Sequence, residues 1–294
     1  WDLPNFWLNE GHSFGVTAAG GAGWQLAEWI VEGEPSIDMM GVDPRRFGPY
    51  ATRGYLRVKN EEAYANVFTV HYPDEERPAA RPLKRSPCYD RMKALGAVFG
   101  SVYGWERPNW FAPQGYGLSE DDLTKPVVLL NENHPPVAEG EKPREKWSFR
   151  RSNYFEFVGQ ECRNVHENVG LLDMTAFAKY EVSGPGAEAW LDRLVANRLP
   201  KVGRIALAHM LSKNGGVRSE FTIYREAPEK FYLVGAGAFE RHDWDYLWKS
   251  VPKDGSVYLQ KVTTQYGVLV LAGPRSRDVL QKLTDTDLSN KSFP

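Results

Sequence analysis

Gly215-Gly216-Val217-Arg218-Ser219-Glu220-Phe221-Thr222-Ile223-Tyr224-Arg225 is the stretch whose reading decides how this chain folds. Two glycines make a tight turn, because glycine alone takes positive φ without steric cost. A strand follows. Its side chains alternate, so Phe221 and Ile223 face one way and Glu220, Thr222 and Tyr224 the other. Glu220 stands where the strand leaves the turn, among the apolar neighbours Val217, Phe221 and Ile223. A carboxylate there is either the solvated rim of a sheet or an acid–base group at the mouth of a pocket. Taken alone, the segment favours the rim, since glutamate is rarely buried without a partner.

Outward from this turn the texture is regular. Residues 155–158 lead into a helix expected through 161–169, then come Gly170-Leu171-Leu172-Asp173-Met174 and a strand over 179–183. Gly184-Pro185-Gly186 turns into a helix over 187–194. Strands are expected at 205–211, 231–235, 257–262 and 267–272, with helices at 240–250 and 276–283. Helices and strands alternate but hairpins intervene, which argues an α+β fold with an antiparallel sheet.

The earlier half is less regular. Small residues crowd positions 15–23, and Trp24, Leu26, Ala27, Trp29 and Ile30 then recur at helical spacing, with Gly33 as the C-cap. A glycine-rich turn opening a helix presents free N–H groups and a positive dipole end, which suits an anionic or electron-rich cofactor edge. Close helix–sheet packing demands the same residues. The spacing is not a Gly-x-Gly-x-x-Gly fingerprint. Asp43-Pro44 caps a short helical turn. Residues 61–68 and 89–98 read as helical, and the Trp105-to-Phe111 stretch as a proline-broken aromatic crossing. Residues 113–148 form a long polar excursion, ordered in part by 127–130.

The 294 residues, 42% hydrophobic and 25% charged, suffice for one large or two medium domains. A net charge of −2 gives no electrostatic footprint for nucleic acid. No apolar run approaches a membrane span. Cys88 and Cys162 have neither metal nor disulfide spacing, which points to a reducing compartment. His166, His209 and His242 have no partner at metal spacing, and no metal site is expected. The chain opens on Trp1 and stops just after a helix-like segment, and reads as an internal piece of a longer polypeptide.

These motifs, in this order, resemble a family. Residues 151–294 resemble the folate-binding aminomethyltransferase fold of the glycine-cleavage T-protein. The residues that carry the resemblance are Gly170-Leu171-Leu172-Asp173-Met174, Val182-Ser183-Gly184-Pro185-Gly186-Ala187, the Gly215-Gly216 turn with its carboxylate strand, and Leu271-Ala272-Gly273-Pro274. Residues 1–48 resemble the C-terminal end of the FAD domain of dimethylglycine and sarcosine dehydrogenases. Residues 49–150 connect the two, with matching stretches at 71–77 and 105–111.

The resemblance implies an FAD-dependent oxidoreductase that demethylates an N-methyl glycine, dimethylglycine before sarcosine. It implies capture of the one-carbon unit by tetrahydrofolate as 5,10-methylenetetrahydrofolate. It places Glu220 at the folate-side catalytic carboxylate, where it could stabilise a cation or accept a proton. Phe221, Thr222 and Gly235 correspond to the strands lining the pterin. His12, Ser13, Phe14, Gly15, Val16 and Thr17 correspond to a turn around the flavin. The implied partners are a small N-methyl amino acid, an electron acceptor of unknown kind and the remainder of a longer chain, with neither nucleic acid nor membrane. The implied location is the cytoplasm, or the mitochondrial matrix in a eukaryote. Two alternatives stand beside this reading: a folate-dependent aminomethyl or methyl transferase with a vestigial flavin half, and a non-catalytic module that keeps the fold.

Overall fold

The structure, a computed structural model, describes residues 5–113, 149, 151–152 and 154–293. The order expected at 127–130 and most of the polar excursion lie outside the described residues. The chain divides into two compact units, Trp1–Arg46 and Phe47–Pro294.

The first unit is built on helix α1, Gly15–Glu32. Gly33 ends it in the left-handed region (φ 84°) and returns its N–H to the Trp29 carbonyl, as its position after the last apolar residue predicts. The helix begins nine residues before Trp24, so the small-residue run is helix rather than turn. Each glycine there costs about 1 kcal/mol against alanine. Tertiary contacts further along the helix offset this. Gln25 is buried, and its side-chain amide meets the Ser36 hydroxyl (3.2 Å) and the Ile37 N–H (3.3 Å). Glu28 accepts the Ser36 N–H at 2.9 Å.

In the second unit, helix α2 (Arg53–Ala65) starts at the Thr52 hydroxyl, which accepts the Tyr55 N–H. It begins well before the expected position 61. Helix α3, Tyr89–Ala94, is shorter than the expected 89–98. Gly96 breaks it at φ 90°, where an added Cβ would lie 2.3 Å from the Ala112 carbonyl oxygen. Beyond it the chain forms an antiparallel ribbon, β1 (Ala97–Val102) and β2 (Trp105–Phe111), instead of an aromatic crossing. Tyr103 and Gly104 both take positive φ, the requirement of a two-residue hairpin loop. Pro108 is tolerated because the ribbon has only two strands, and the register shifts beside it. Helix α4 (Phe155–Glu167) lies on this ribbon. Phe157 stacks on Trp110 at 5.7 Å, and Glu161 accepts the Phe111 N–H at 2.9 Å.

The remaining elements run β3 (Gly170–Asp173), β4 (Ala178–Ser183), α5 (Ala187–Leu194), β5 (Ile205–Leu211), β6 (Val217–Ala227), β7 (Lys230–Gly235), α6 (Glu240–Ser250), β8 (Tyr258–Lys261), β9 (Leu269–Ala272) and α7 (Ser276–Leu280). Strands β5-β6-β7-β4-β8 form one sheet, antiparallel throughout, and β3 pairs with β9 in a second. This is the α+β, antiparallel arrangement read from the sequence.

The large sheet has two unlike faces. Ala178, Tyr180, Val182, Ala208, Met210, Phe221, Ile223, Phe231 and Leu233 are sealed on one face beneath Trp190 and Leu191 of α5 and Leu247 of α6. Each large side chain buried there contributes roughly 1.5–3 kcal/mol. The Trp190 indole N–H donates to the Ser250 carbonyl (2.8 Å), joining the two helices. The other face carries the alternate residues; Lys179 of β4 is buried on it, while the β5–β6 part is open.

Candidate functional site

The turn before β6 forms as its glycines predict. Gly215 takes φ 81°, its N–H donates to the Ser212 carbonyl at 3.0 Å, and the Ser212 N–H donates to the Gly216 carbonyl at 2.8 Å. The hairpin it closes sets the register of β5 against β6: His209 faces Glu220, Leu207 faces Thr222 and Ile205 faces Tyr224. All six point to the open face.

Glu220 is therefore not alone. Its Oε2 lies 2.8 Å from Nε2 of His209, with the two side chains 55% and 40% exposed. The pair is reachable from solvent. In the sequence His209 has no partner at metal spacing. Counting back from the turn would not find it: the register shifts between Met210 and Leu211, and this bulge sets His209, instead of Ala208, opposite Glu220.

Thr222 shares the open face, between Leu207 on β5 and Val234 on β7. Tyr232, opposite Tyr224, meets the ring of Tyr266 at 6.2 Å. Burial first, then the neighbouring Tyr266 and Glu181, push the Tyr232 hydroxyl up to about 12, so it stays a neutral donor. A carboxylate, a hydroxyl and phenols set among Leu207 and Val234 suit a flat ligand with a polar edge.

Phe221 and Gly235 stand elsewhere. Phe221 is fully buried on the helix-covered face, 6.0 Å from the Tyr180 ring. Gly235 is buried beside it, where an added Cβ would lie 2.9 Å from Phe221 Cε1 and 3.2 Å from Asp243 Oδ2. The candidate carboxylate Glu220 and the three residues expected along the pterin strands, Phe221, Thr222 and Gly235, thus divide between the two faces. Glu220 and Thr222 face outward, and Phe221 and Gly235 support them from the core.

In the first unit, His12 Nε2 lies 2.6 Å from the Asn9 Oδ1, and both are exposed. Ser13 and Phe14 lead into α1, while Gly15, Val16 and Thr17 are its first turn and not a turn before it. Phe14 supplies no side-chain cap and the first turn holds no acid, so the leading N–H groups are uncapped by side chains. Gly15, Gly20, Gly21 and Gly23 have nothing within 4 Å of a built Cβ. Uncapped N–H groups and a glycine-lined helix flank fit the edge of a flavin.

Among the described residues, no group of three or more His, Cys, Asp or Glu could hold a metal ion. Nor is any helix long and apolar enough to cross a membrane.

The family model described as the GCVT N-terminal domain matches residues 88–294. The chain belongs to the GCVT family. Ahead of that match, residues 32–86 match the model of the FAD dependent oxidoreductase central domain. Mouse mitochondrial dimethylglycine dehydrogenase is 37% identical over 99% of this chain and 31% of its own length. Human mitochondrial sarcosine dehydrogenase is 31% identical over the whole of this chain and 34% of its own. The mouse mitochondrial pyruvate dehydrogenase phosphatase regulatory subunit is 32% identical over 96% of this chain and 30% of its own. The chain thus spans about a third of the length of the curated relatives it matches. The GCVT match covers the large sheet and with it both Glu220 and His209.

Proposed function

We propose that this chain is the junction of an FAD-dependent enzyme that oxidatively demethylates an N-methyl glycine, dimethylglycine in preference to sarcosine, and hands the one-carbon unit to tetrahydrofolate. The observation that carries the reading is the order of the two matches. A segment like an FAD oxidoreductase central domain leads directly into a GCVT domain, and a relative named for dimethylglycine oxidation aligns along nearly the whole chain. Flavin would supply the two-electron oxidation of the C–N bond. The chain's own residues would do the rest. The leading N–H groups of α1 and His12 would hold the polar edge of the flavin. Thr222 and Tyr232 would orient the folate, with Phe221 and Gly235 shaping the strands from beneath. Glu220 would stabilise cationic charge or accept a proton from a folate nitrogen, with His209 holding its carboxylate and relaying the proton. The word mitochondrial in the relatives' names supports a mitochondrial location if the source is eukaryotic; the matrix, or the cytoplasm in a source without mitochondria, is our reading.

The test is made on the full-length protein. Dimethylglycine added without air bleaches the flavin absorbance, and tetrahydrofolate then suppresses release of formaldehyde. Glu220→Gln lowers folate capture without slowing the bleaching. A colourless protein inert to dimethylglycine and sarcosine overturns the reading. The similarity to a regulatory subunit favours a second reading, a non-catalytic module that keeps the fold. It gains if Glu220→Gln changes neither folate capture nor bleaching.

A further inference from the structure

Asp243, in the first turn of α6, is 1% exposed. Its Oδ1 accepts the Ser219 hydroxyl at 2.6 Å and lies 3.3 Å from His242 Nδ1. Its Oδ2 is enclosed and has no hydrogen-bond partner. A sealed carboxyl with a bare oxygen lowers stability relative to an apolar side chain of the same size. The fold nevertheless makes room for it, since any side chain larger than hydrogen at Gly235 would press on Oδ2 and on Phe221. The arrangement calls for a reason other than stability.

The reason lies in the sheet. Strand β7 pairs with β6 only from Thr222↔Val234 onward. Ser219 and Glu220 run past the end of that pairing and keep β5 as their neighbour, through Met210↔Ser219 and His209↔Glu220. On its other side this end of the hairpin is tied to α6. The Ser219 hydroxyl reaches Asp243, and the Arg218 guanidinium lies 4.5 Å over the Tyr246 ring. Ser219 and Glu220 are adjacent and point to opposite faces. Whatever fixes the first from below fixes the second above.

We propose that Asp243 is a positioning residue for Glu220: through the Ser219 hydroxyl it anchors the overhanging end of the β5–β6 hairpin to helix α6 and so sets where the Glu220 carboxylate stands. The role in one-carbon capture rests on the function proposed above; the anchoring does not.

Amide hydrogen exchange on the full-length protein tests the anchoring. In Ser219→Ala and Asp243→Ala, exchange at residues 217–220 accelerates about tenfold, the factor that corresponds to one hydrogen bond of about 1.4 kcal/mol, while β7 keeps its protection. The KM for tetrahydrofolate rises by a similar factor. Asp243→Asn, which keeps an acceptor oxygen for Ser219, restores both. If Asp243→Ala does not fold, Ser219→Ala decides. Unchanged exchange at 217–220 overturns the proposal. So does faster exchange without any change in KM, provided that Glu220→Gln raises KM. If Glu220→Gln leaves KM unaltered, the folate reading fails, and the exchange result alone decides the anchoring.

Discussion

Asp243 and the Arg81–Glu106 pair are two buried ionisable sites with opposite expectations. Burial pushes the Asp243 carboxyl above the ordinary aspartate range, against the hydrogen bonds from His242 and Ser219. The folded state therefore binds this proton more tightly than the unfolded chain. Its contribution to stability is complete below the unfolded pKa and is lost as pH rises through the folded one. Asp243→Asn has no charge to bury. As pH rises from the ordinary aspartate range through the raised folded-state pKa, the thermal midpoint of the natural protein should fall relative to that variant, and parallel midpoints would refute the assignment. Arg81 and Glu106 are 4% and 3% exposed and joined by two hydrogen bonds, at 3.0 and 2.6 Å. Arg81 also donates to the Phe99 carbonyl at 2.9 Å. Glu106→Gln leaves the guanidinium buried without its main counter-charge, and should cost roughly 3–5 kcal/mol in a denaturation experiment.

At the scale of elements, β6 separates two kinds of side chain. Phe221→Ala should destabilise by about 3–5 kcal/mol, because the cavity opens in a core that cannot collapse onto it. Thr222→Ala, one residue on and facing outward, should stay within about 0.5 kcal/mol and instead weaken folate binding. A reversed ranking would mean that the faces are inverted. The same strand shows what sequence reveals and what it hides. Alternation and the glycine turn sufficed to place Phe221 and Ile223 inside and Glu220 outside. The bounds of α5, β5 and α6 were legible in full, since each is delimited by a local turn signal. Where the deciding interaction is remote, the reading fell short. The glycine run at 15–23 is helical because Gln25 and Glu28 grip residues 36–37. The 97–111 ribbon is a hairpin because Gly96 stops α3 and Trp110 finds α4. His209 acquires its meaning only across the β5–β6 pairing and Asp243 only across the contact of α6 with β6, so no local pattern marks either as part of a site.

At the scale of the molecule, distant segments are stitched by single polar contacts. Ser86 donates its hydroxyl proton to Asp173, whose other oxygen accepts the Thr175 N–H at 2.9 Å. The Thr175 hydroxyl in turn accepts the Val268 N–H at 3.0 Å. Three stretches of chain thus meet beside the small sheet, where Gly170 faces Ala272 and Asp173 faces Leu269. That sheet has a consequence in time. Strands β5, β6 and β7 follow one another through short turns, so each pairing closes a small loop. The β3–β9 pairing encloses everything from β4 to β8, a loop of about a hundred residues whose closure entropy is recovered only when the interior strands already hold its ends near each other. The three consecutive strands should acquire protected amides first in pulse-labelled refolding, and β3 and β9 last. Simultaneous protection of both sheets would contradict this order. The side chains that carry the proposed chemistry would then stand in place before the chain around them has closed.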